Sequence, residues 1–219
     1  MELKTGHYYH AFNKSIAGFV IFNSDGEFQR MIQAIHYYRS VLQDYSLSNF
    51  LRSDQVSKMG INNCLSSLSK DQPRLVEIVA LCLMPTHIHF LLKQSRDDGI
   101  STFMGNLLNS YARYFNKKHE RKGPLWVGRF KAVLIETDEQ LRHVSRYIHL
   151  NPTTAGLVRK PELWKYSSYK ESINAEKNEF TLTTGTEVFD NTPEEYQKFV
   201  ENQISYQKEL AAIKHLILE

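Results

Sequence analysis

The hydrophobic positions of this chain follow two periods, one typical of helices and one typical of strands. From Phe28 onward, apolar residues recur every three or four positions, which predicts an amphipathic helix that begins near Ser24 or Asp25. A longer stripe of the same period starts at Ile100 and predicts a second helix that runs to about Asn116. The aromatic side chains of this second stripe are predicted to lie in the hydrophobic core.

A third helix is predicted from Thr137 to Asn151. Thr137 followed by Gln140 is a capping-box signature, which indicates a helix start. The helix is expected to stop at Asn151, because the residue before Pro152 is disfavoured in helical conformation. Within it, Tyr147 and Asn151 are four positions apart and therefore share one face beside the buried stripe.

Extended segments are predicted where aromatic and β-branched residues cluster between turn signals. Between the two most apolar segments stands Met84-Pro85, which predicts a tight hairpin or a bent strand because proline donates no backbone hydrogen bond. The predicted extended segments are residues 7–13, 19–22, 75–83, 86–93 and 126–135.

Two regions differ in composition from the rest of the chain. Residues from about 45 to 73 are rich in polar side chains, which predicts an insertion with short helical pieces rather than another core layer. Residues 171–219 contain ten acidic and four basic side chains and a helical pattern from Pro193 to about Leu216. We therefore expect a main domain at 1–170, followed by an acidic, partly helical C-terminal extension that is either a separate appendage or a docking helix.

The net charge of +3 conceals a basic main domain, because residues 1–170 hold 23 basic and 14 acidic side chains. Such an excess of positive charge suits a polyanionic partner. The apolar runs are much shorter than the roughly 20 residues of a membrane helix, and the first ten residues lack a signal-like apolar region, so a cytoplasmic protein without a membrane segment is expected. Cys64 and Cys82 stand singly and are expected to be reduced bystanders.

The sequence His87-Ile88-His89 is the first candidate for chemistry. Residues two apart in a strand point the same way, so His87 and His89 would share one face and form half of a metal site. Taken alone, the pattern also fits one histidine that caps a turn and another on the surface. Metallohydrolases of the metallo-β-lactamase type continue with an Asp-His pair, whereas Phe-Leu-Leu-Lys follows here, which excludes that interpretation.

The predicted third helix supplies a second candidate. Tyr147 follows His89 by 58 residues and would present a hydroxyl beside the side-chain oxygen of Asn151. An ordinary tyrosine, with a pKa of about 10, is ionised in only about one molecule in a thousand at pH 7, so a tyrosine nucleophile needs a neighbouring cation. Histidine ligands favour Mn²⁺ in affinity, whereas cellular abundance favours Mg²⁺. Spacing alone favours an aromatic residue at the core edge and an ordinary helix-ending asparagine over a nucleophile and a ligand.

Basic and aromatic side chains are mixed in the sequence between the histidine pair and the predicted third helix. This mixture suits phosphates and unstacked bases, although the lysine-rich part also fits a solvated helix end followed by a loop. Arg129 and Lys131 are the stronger candidates because alternate strand positions share a face. The candidate DNA-binding residues are Arg113, Lys117, Lys118, Arg121, Lys122, Arg129 and Lys131.

Four sequence blocks in this order resemble a known family. They are Tyr8-Tyr9-His10 with Asn13, LMPTHIHFLL, GPLWVGRFKAVLI, and SRYIHLNPTTAGLV followed by WKYSSY. Together they resemble the single-tyrosine HUH transposases of the smallest bacterial insertion sequences, and within these the REP-associated branch, over roughly residues 5–170. Thr86 stands where the family commonly has asparagine.

The resemblance implies an α+β fold, a ferredoxin-like or RRM-like antiparallel sheet with helices packed on one side. It also implies His87, His89 and Asn151 as ligands of Mg²⁺ or Mn²⁺, and Tyr147 as the nucleophile. Such enzymes cut single-stranded DNA next to foldback hairpins and keep a 5′-phosphotyrosine and a free 3′-hydroxyl for rejoining, as homodimers or as monomers.

Two alternatives to this function stay open. The first is a domesticated, catalytically silent DNA-binding protein of the same fold, against which the retained histidines, Asn151 and Tyr147 argue. The second is a small-molecule metallohydrolase, to which the basic main domain lends no support.

Overall fold

The computed structural model describes residues 2–41, 45–71, 73–173, 181–183, 185–207 and 209. Over these residues, four strands form one antiparallel sheet in the order β2-β3-β1-β4. The strands are β1 (Tyr8–Lys14), β2 (Val76–Met84), β3 (His87–Gln94) and β4 (Lys131–Ile135). The expected α+β fold with an antiparallel sheet is confirmed.

Three long helices occur where the hydrophobic stripes predict them, and shorter helices stand between and after them. The long helices are α1 (Asp25–Tyr38), α5 (Gly99–Lys118) and α6 (Asp138–Thr154). The short helices are α2 (Leu47–Phe50), α3 (Asp54–Met59), α4 (Ile61–Asp71), α7 (Tyr169–Ile173) and α8 (Pro193–Glu201).

The sheet is covered by helices on both faces, so the expectation of helices on one side is wrong. Helices α1 and α5 cover the face to which Ile88, Phe90 and Leu92 point. Helix α6 covers the opposite face, where Leu91 packs with Ile148. The reason is visible in β2, whose sequence VEIVALCLM is almost continuously apolar and so cannot leave either face to water.

Two of the predicted extended segments differ from the structure. Residues 19–22 form no strand, because a 3-10 turn at Ile16–Gly18 precedes them and the amide of Ile21 donates to the Pro85 carbonyl instead. The segment 126–135 is a strand only from Lys131, since Gly128 adopts a φ of 112° that interrupts the extended backbone. The segments around 7–13, 75–83 and 86–93 do form strands, and the last two make the tight hairpin.

Helix α6 continues past Asn151, so the predicted helix end is wrong. Pro152 lies inside the helix and is buried together with Thr153. The Asn151 carbonyl accepts from the Ala155 amide at 2.9 Å, and the Pro152 carbonyl accepts from the Leu157 amide at 2.9 Å. Burial of the last turn and these hydrogen bonds outweigh the backbone restriction that proline imposes.

The polar region from about 45 to 73 does form short helices, α2 to α4, as predicted. Its apolar residues nevertheless join the main core, because Leu47, Phe50, Val56 and Leu65 are all buried in the cluster beneath α1 and α5. The prediction of an insertion rather than another core layer does not anticipate these core contacts.

The described part of the acidic extension is a docked helix rather than a free appendage. Helix α8 buries Tyr196 and Val200 against Leu150 of α6 and Tyr169 of α7. The predicted continuation of the helix at 210–216 lies outside the described residues. The division into domains at residue 170 stays a prediction.

Within the described ranges, no helix combines the length and apolar character that crossing a bilayer requires. Cys64 and Cys82 are both buried and free. The cytoplasmic localisation stays a prediction.

Glu27 joins α1 to the end of α5 from a fully buried position. Its carboxylate accepts from Lys118 at 2.9 Å and lies 2.6 Å from His119 Nε2. Burial alone would raise the pKa of Glu27, but hydrogen bonds from Lys118, the Asn23 backbone and His119 outweigh it and hold the pKa at about 2.

We predict that Glu27→Gln lowers the free energy of unfolding at pH 7 by about 2–3 kcal/mol, because Lys118 and His119 then lose the charged, buried acceptor of their hydrogen bonds. A depressed carboxylate pKa stabilises the fold above the unfolded pKa of about 4.5, and this contribution is lost as pH falls toward 2. The difference between variant and wild type in urea unfolding should therefore shrink over that interval. Glu77→Gln, at a half-exposed ion pair with Lys93, serves as the control and should change stability by less than about 1 kcal/mol. Equal losses of stability in the two variants would contradict a stabilising role of the buried Glu27 carboxylate.

Candidate active site

The candidate site lies on the α6 face of the sheet, where strand register brings distant residues together. In the antiparallel pairing of β1 with β3, Phe12 stands opposite His89 and Lys14 stands opposite His87. Directly opposed residues project to the same face, and so do residues two apart in one strand. His10 therefore shares this face with both histidines of β3.

His89 is buried, at 7% exposure, and contacts His10. The His89 Nδ1 atom lies 3.0 Å from His10 Nε2, and the ring centroids are 5.2 Å apart. Burial lowers the pKa of His89 to about 3, with the neighbouring His87 and His10 adding to the effect, and burial lowers the pKa of His10 to about 4. Both imidazoles are therefore uncharged at neutral pH, as metal ligands must be.

His87 begins β3 directly after the hairpin turn. Its Nδ1 atom lies 2.9 Å from the Thr86 hydroxyl, so Nε2 is the nitrogen left for other partners. Burial lowers the pKa of His87, a hydrogen bond with the Asn151 side chain opposes this shift, and the charge of Lys14 adds to it. The hydrogen bond places Asn151, from the last turns of α6, beside the first histidine.

Tyr147 extends from α6 toward the histidine pair. Leu141 and Ile148 are buried against the sheet and fix the rotation of the helix, which leaves Tyr147 on its rim at 44% exposure. The Tyr147 ring stands edge-on to His89, with centroids 5.6 Å apart, and to His10 at 6.0 Å. Its hydroxyl has no hydrogen-bond partner among the residues that the structure describes, so the oxygen is accessible to a substrate.

The residues present fit a divalent cation held by nitrogen and amide oxygen. In the described part of the chain, no three His, Cys, Asp or Glu side chains are grouped as metal ligands, so a cation would need the amide of Asn151 beside His87 and His89. The Asn151 Nδ2 atom is buried and has no hydrogen-bond partner in the same part of the chain, so this amide has unused bonding capacity next to His87. No carboxylate belongs to this set, which leaves room for the negative charge of a phosphate.

A pocket of about 590 Å³ opens beside the two histidines, between the end of β1 and the segment before β4. The lining contains three charged side chains, and all of them are cations: Lys14, Arg129 and Lys131. The remaining lining includes Phe12, Asn13, Val127 and Thr86. The pocket thus combines positive charge with apolar surface, as a nucleotide strand requires.

The predicted DNA-binding residues divide into separate groups. Arg129 and Lys131 line the pocket beside His87. Arg113, Lys117 and Lys118 instead extend from α5, which covers the opposite face of the sheet. There they line a groove of about 530 Å³ together with Arg30 of α1 and Arg52, which follows α2.

The last two predicted residues lie in the loop after α5. Arg121 donates to Asn116 at 3.1 Å and to the Pro124 carbonyl at 2.8 Å, and its guanidinium lies 5.0 Å from the centre of the Phe19 ring. These contacts brace the loop, while Lys122 is exposed. DNA contact by either residue stays a prediction.

Helix α6 is held in place from its outer side by α8. The Tyr196 hydroxyl lies 2.9 Å from Ser145 Oγ and 2.8 Å from His149 Nδ1, and His149 Nε2 lies 2.9 Å from Ser168 Oγ. Ser145 and His149 flank Tyr147 in the sequence. The network therefore fixes the helix segment that carries the candidate nucleophile.

Comparison with known proteins identifies the family of this chain. The sequence model of a protein family described as IS200-like transposases matches residues 33–151 of this chain. This range contains His87, His89, Tyr147 and Asn151. The chain belongs to the IS200-like transposase family. The resemblance recognised from the four sequence blocks is thereby confirmed.

One relative and one solved structure of similar fold carry the name of the REP-associated branch. A Haemophilus influenzae protein assigned by name to the REP-associated tyrosine transposases is 33% identical over an alignment of 110 residues, and the match covers 46% of this chain and 62% of that protein. The match thus spans less than two thirds of the relative's length. A solved REP-associated tyrosine transposase bound to a REP hairpin is similar in fold, with a TM-score of 0.50, 16% identity and coverage of 79% of this chain and 82% of the other.

His10 and Lys14 are site residues that the sequence does not single out. His10 belongs to one of the quoted blocks, and its spacing from Phe12 and Lys14 predicts a shared strand face. Which other strand that face meets depends on the pairing of β1 with β3, and no local pattern states it. The family match, which begins at residue 33, does not reach them either.

We predict that Tyr196→Phe lowers the free energy of unfolding by about 1–2 kcal/mol, because Ser145 and His149 then lose a buried hydrogen-bond partner. Urea unfolding measures the change. Tyr206→Phe, at a tyrosine that is 55% exposed, is the matched control and should leave stability nearly unchanged. A Tyr196→Phe protein as stable as wild type would show that the contact does not hold α8 on α6.

Proposed function

We propose that this chain cleaves and rejoins single-stranded DNA beside foldback hairpins. One observation carries the proposal: the exposed ring of Tyr147 stands edge-on to two uncharged histidines, beside a pocket lined by Lys14, Arg129 and Lys131. An accessible hydroxyl, candidate cation ligands and a positively charged pocket are the components that attack on a phosphodiester requires. Membership of a transposase family supports the same reaction class.

In the proposed cleavage step, the hydroxyl oxygen of Tyr147 attacks phosphorus. The new oxygen–phosphorus bond forms while the bond from phosphorus to the 3′ oxygen of the preceding nucleotide breaks. The tyrosine proton passes to solvent, and the departing 3′ oxygen gains a proton. The products are a 5′-phosphotyrosine and a free 3′-hydroxyl, and the reverse attack by a 3′-hydroxyl rejoins DNA and restores the tyrosine.

His87, His89 and the Asn151 amide oxygen would hold Mg²⁺ or Mn²⁺, whose charge polarises a scissile phosphate and offsets negative charge in the transition state. The protein's own contribution is orientation. The sheet fixes both imidazoles, and α6 fixes Tyr147 and Asn151 one helical turn apart. Lys14 and Arg129 would position the phosphates on either side.

The two basic surfaces suit two parts of one substrate. We assign the unpaired strand to the pocket that Arg129 and Lys131 line, because this pocket adjoins the candidate site. We assign the phosphates of a hairpin stem to the groove that Arg30, Arg52 and Arg113 line. The similar solved structure, in which a REP hairpin is bound, supports a hairpin as part of the substrate.

The candidate site is complete within one chain, since Tyr147 contacts the histidines of its own sheet. We propose action as a monomer, with a homodimer that exchanges α6 as the alternative. A domesticated DNA-binding protein without cleavage activity is the competing function, and the following experiment separates the two.

We predict that Tyr147→Phe abolishes covalent protein–DNA adducts on a single strand that carries a hairpin, while binding persists, because only the nucleophilic oxygen is removed. Denaturing gels measure the adduct, and fluorescence anisotropy measures binding, both with Mg²⁺ or Mn²⁺ present. Tyr206→Phe is the control and should form the adduct as wild type does. Adduct formation by Tyr147→Phe would show that another residue is the nucleophile. Binding without an adduct in the wild type, with either cation, would favour the silent DNA-binding protein.

We predict that Arg129→Ala and Arg113→Ala weaken binding of different substrates. Each should reduce the slope of log affinity against log salt by about 1, since each removes one phosphate contact. Arg129→Ala should lose affinity for an unstructured single strand, whereas Arg113→Ala should lose affinity only for a strand with a hairpin stem. Lys170→Ala, at an exposed position in α7, is the control. Unchanged salt slopes for Arg113→Ala on both substrates would remove the α5 groove from the DNA-binding surface.

A further inference from the structure

We propose that His10 is a positioning residue that fixes the tautomer of His89, with the His89 proton on Nδ1 and the lone pair on Nε2. The observation is the distance of 3.0 Å between His10 Nε2 and His89 Nδ1. Two imidazole nitrogens at hydrogen-bond distance need one donor and one acceptor.

The direction of this hydrogen bond follows from the role of His89. A neutral imidazole carries one proton, and it binds a cation only through its unprotonated nitrogen. Because His10 occupies Nδ1 of His89, the nitrogen available to a cation is Nε2, and the proton must lie on Nδ1. His10 Nε2 is then the acceptor, and the proton of His10 lies on its own Nδ1.

The fold holds the two rings in this arrangement. His10 stands opposite Leu91, and His89 is two residues before Leu91 on the same face of β3. The pairing of β1 with β3 therefore fixes both Cα positions. The Phe12 ring packs against both imidazoles, with centroids 4.9 Å from His10 and 5.8 Å from His89. A tilt of either imidazole out of its present plane would disturb that contact, and the hydrogen bond between the two rings selects which nitrogen of each faces the other.

The other histidine of the pair has an equivalent partner. The Thr86 hydroxyl lies 2.9 Å from His87 Nδ1, so it can accept the proton of Nδ1, and the lone pair then lies on Nε2. His10 thus does for His89 what Thr86 does for His87. Partners of this kind orient metal-binding histidines and keep their ligating nitrogen unprotonated.

The inference rests on the proposed function in one respect only, the use of His89 as a ligand. Its first test does not need a metal or DNA. Nitrogen-15 NMR of the metal-free protein distinguishes protonated from unprotonated ring nitrogens, and a His89→Ala variant identifies the signals. We expect a protonated Nδ1 and an unprotonated Nε2 in His89. A protonated Nε2 in His89 would overturn the proposal.

Two substitutions separate positioning from mere packing. In His10→Gln the side-chain oxygen can replace Nε2 as the acceptor, whereas in His10→Asn the shorter side chain places its oxygen near the former Nδ1 and cannot reach His89. Electron paramagnetic resonance of added Mn²⁺ measures the cation affinity. We expect His10→Asn to weaken Mn²⁺ binding by about 10- to 100-fold, and His10→Gln to stay close to wild type.

His7→Asn is the control, because His7 is an exposed histidine whose Nδ1 atom lies 3.2 Å from the Thr5 carbonyl oxygen, within its own turn. Equal Mn²⁺ affinity of His10→Asn and wild type would contradict the proposal, as would an equal loss in His10→Asn and His10→Gln. A wild-type protein that forms no DNA adduct but shows the expected His89 tautomer would contradict the proposed function and leave the role of His10 intact.

Discussion

The candidate site depends on the antiparallel register of β1 with β3. This pairing sets Phe12 opposite His89 and Lys14 opposite His87, so that His10, both β3 histidines and Lys14 share one face. A slip by one residue would turn every side chain of β1 to the other face. Both faces of the sheet are buried by helices, which makes such a slip costly because apolar and polar residues would exchange places.

Burial and charge act together in this arrangement. The sheet and α6 exclude water from His89 and His10, and the resulting desolvation lowers the pKa of both so that the imidazoles are uncharged at neutral pH. Around these neutral groups, the fold places the cations Lys14, Arg129 and Lys131. The site is therefore positive at its rim and uncharged at its centre, a distribution that attracts a phosphate while both imidazoles stay neutral.

Helix α6 connects the site to the rest of the protein. One side of the helix packs on the sheet through Leu141 and Ile148, and the other side is hydrogen bonded to Tyr196 of α8. Tyr147 lies between these two contacts, on the rim. The acidic extension thus contributes to the placement of the candidate nucleophile, although its negative charge sets it apart from the basic main domain.

The amino-acid sequence was sufficient for the features that depend on local pattern. The helical and strand periods located the long helices and the hairpin, and residue type and spacing identified the histidine pair, Tyr147 and Asn151 as candidate site residues. Tertiary contacts were needed to bring His10 and Lys14 into this site, to divide the basic residues between two faces, and to continue α6 past Pro152. These outcomes depend on strand register, on helices packing on both faces and on burial of the last turn, which are contacts between residues far apart in the chain. Periodicity and spacing describe one segment at a time, so they cannot specify which segments meet.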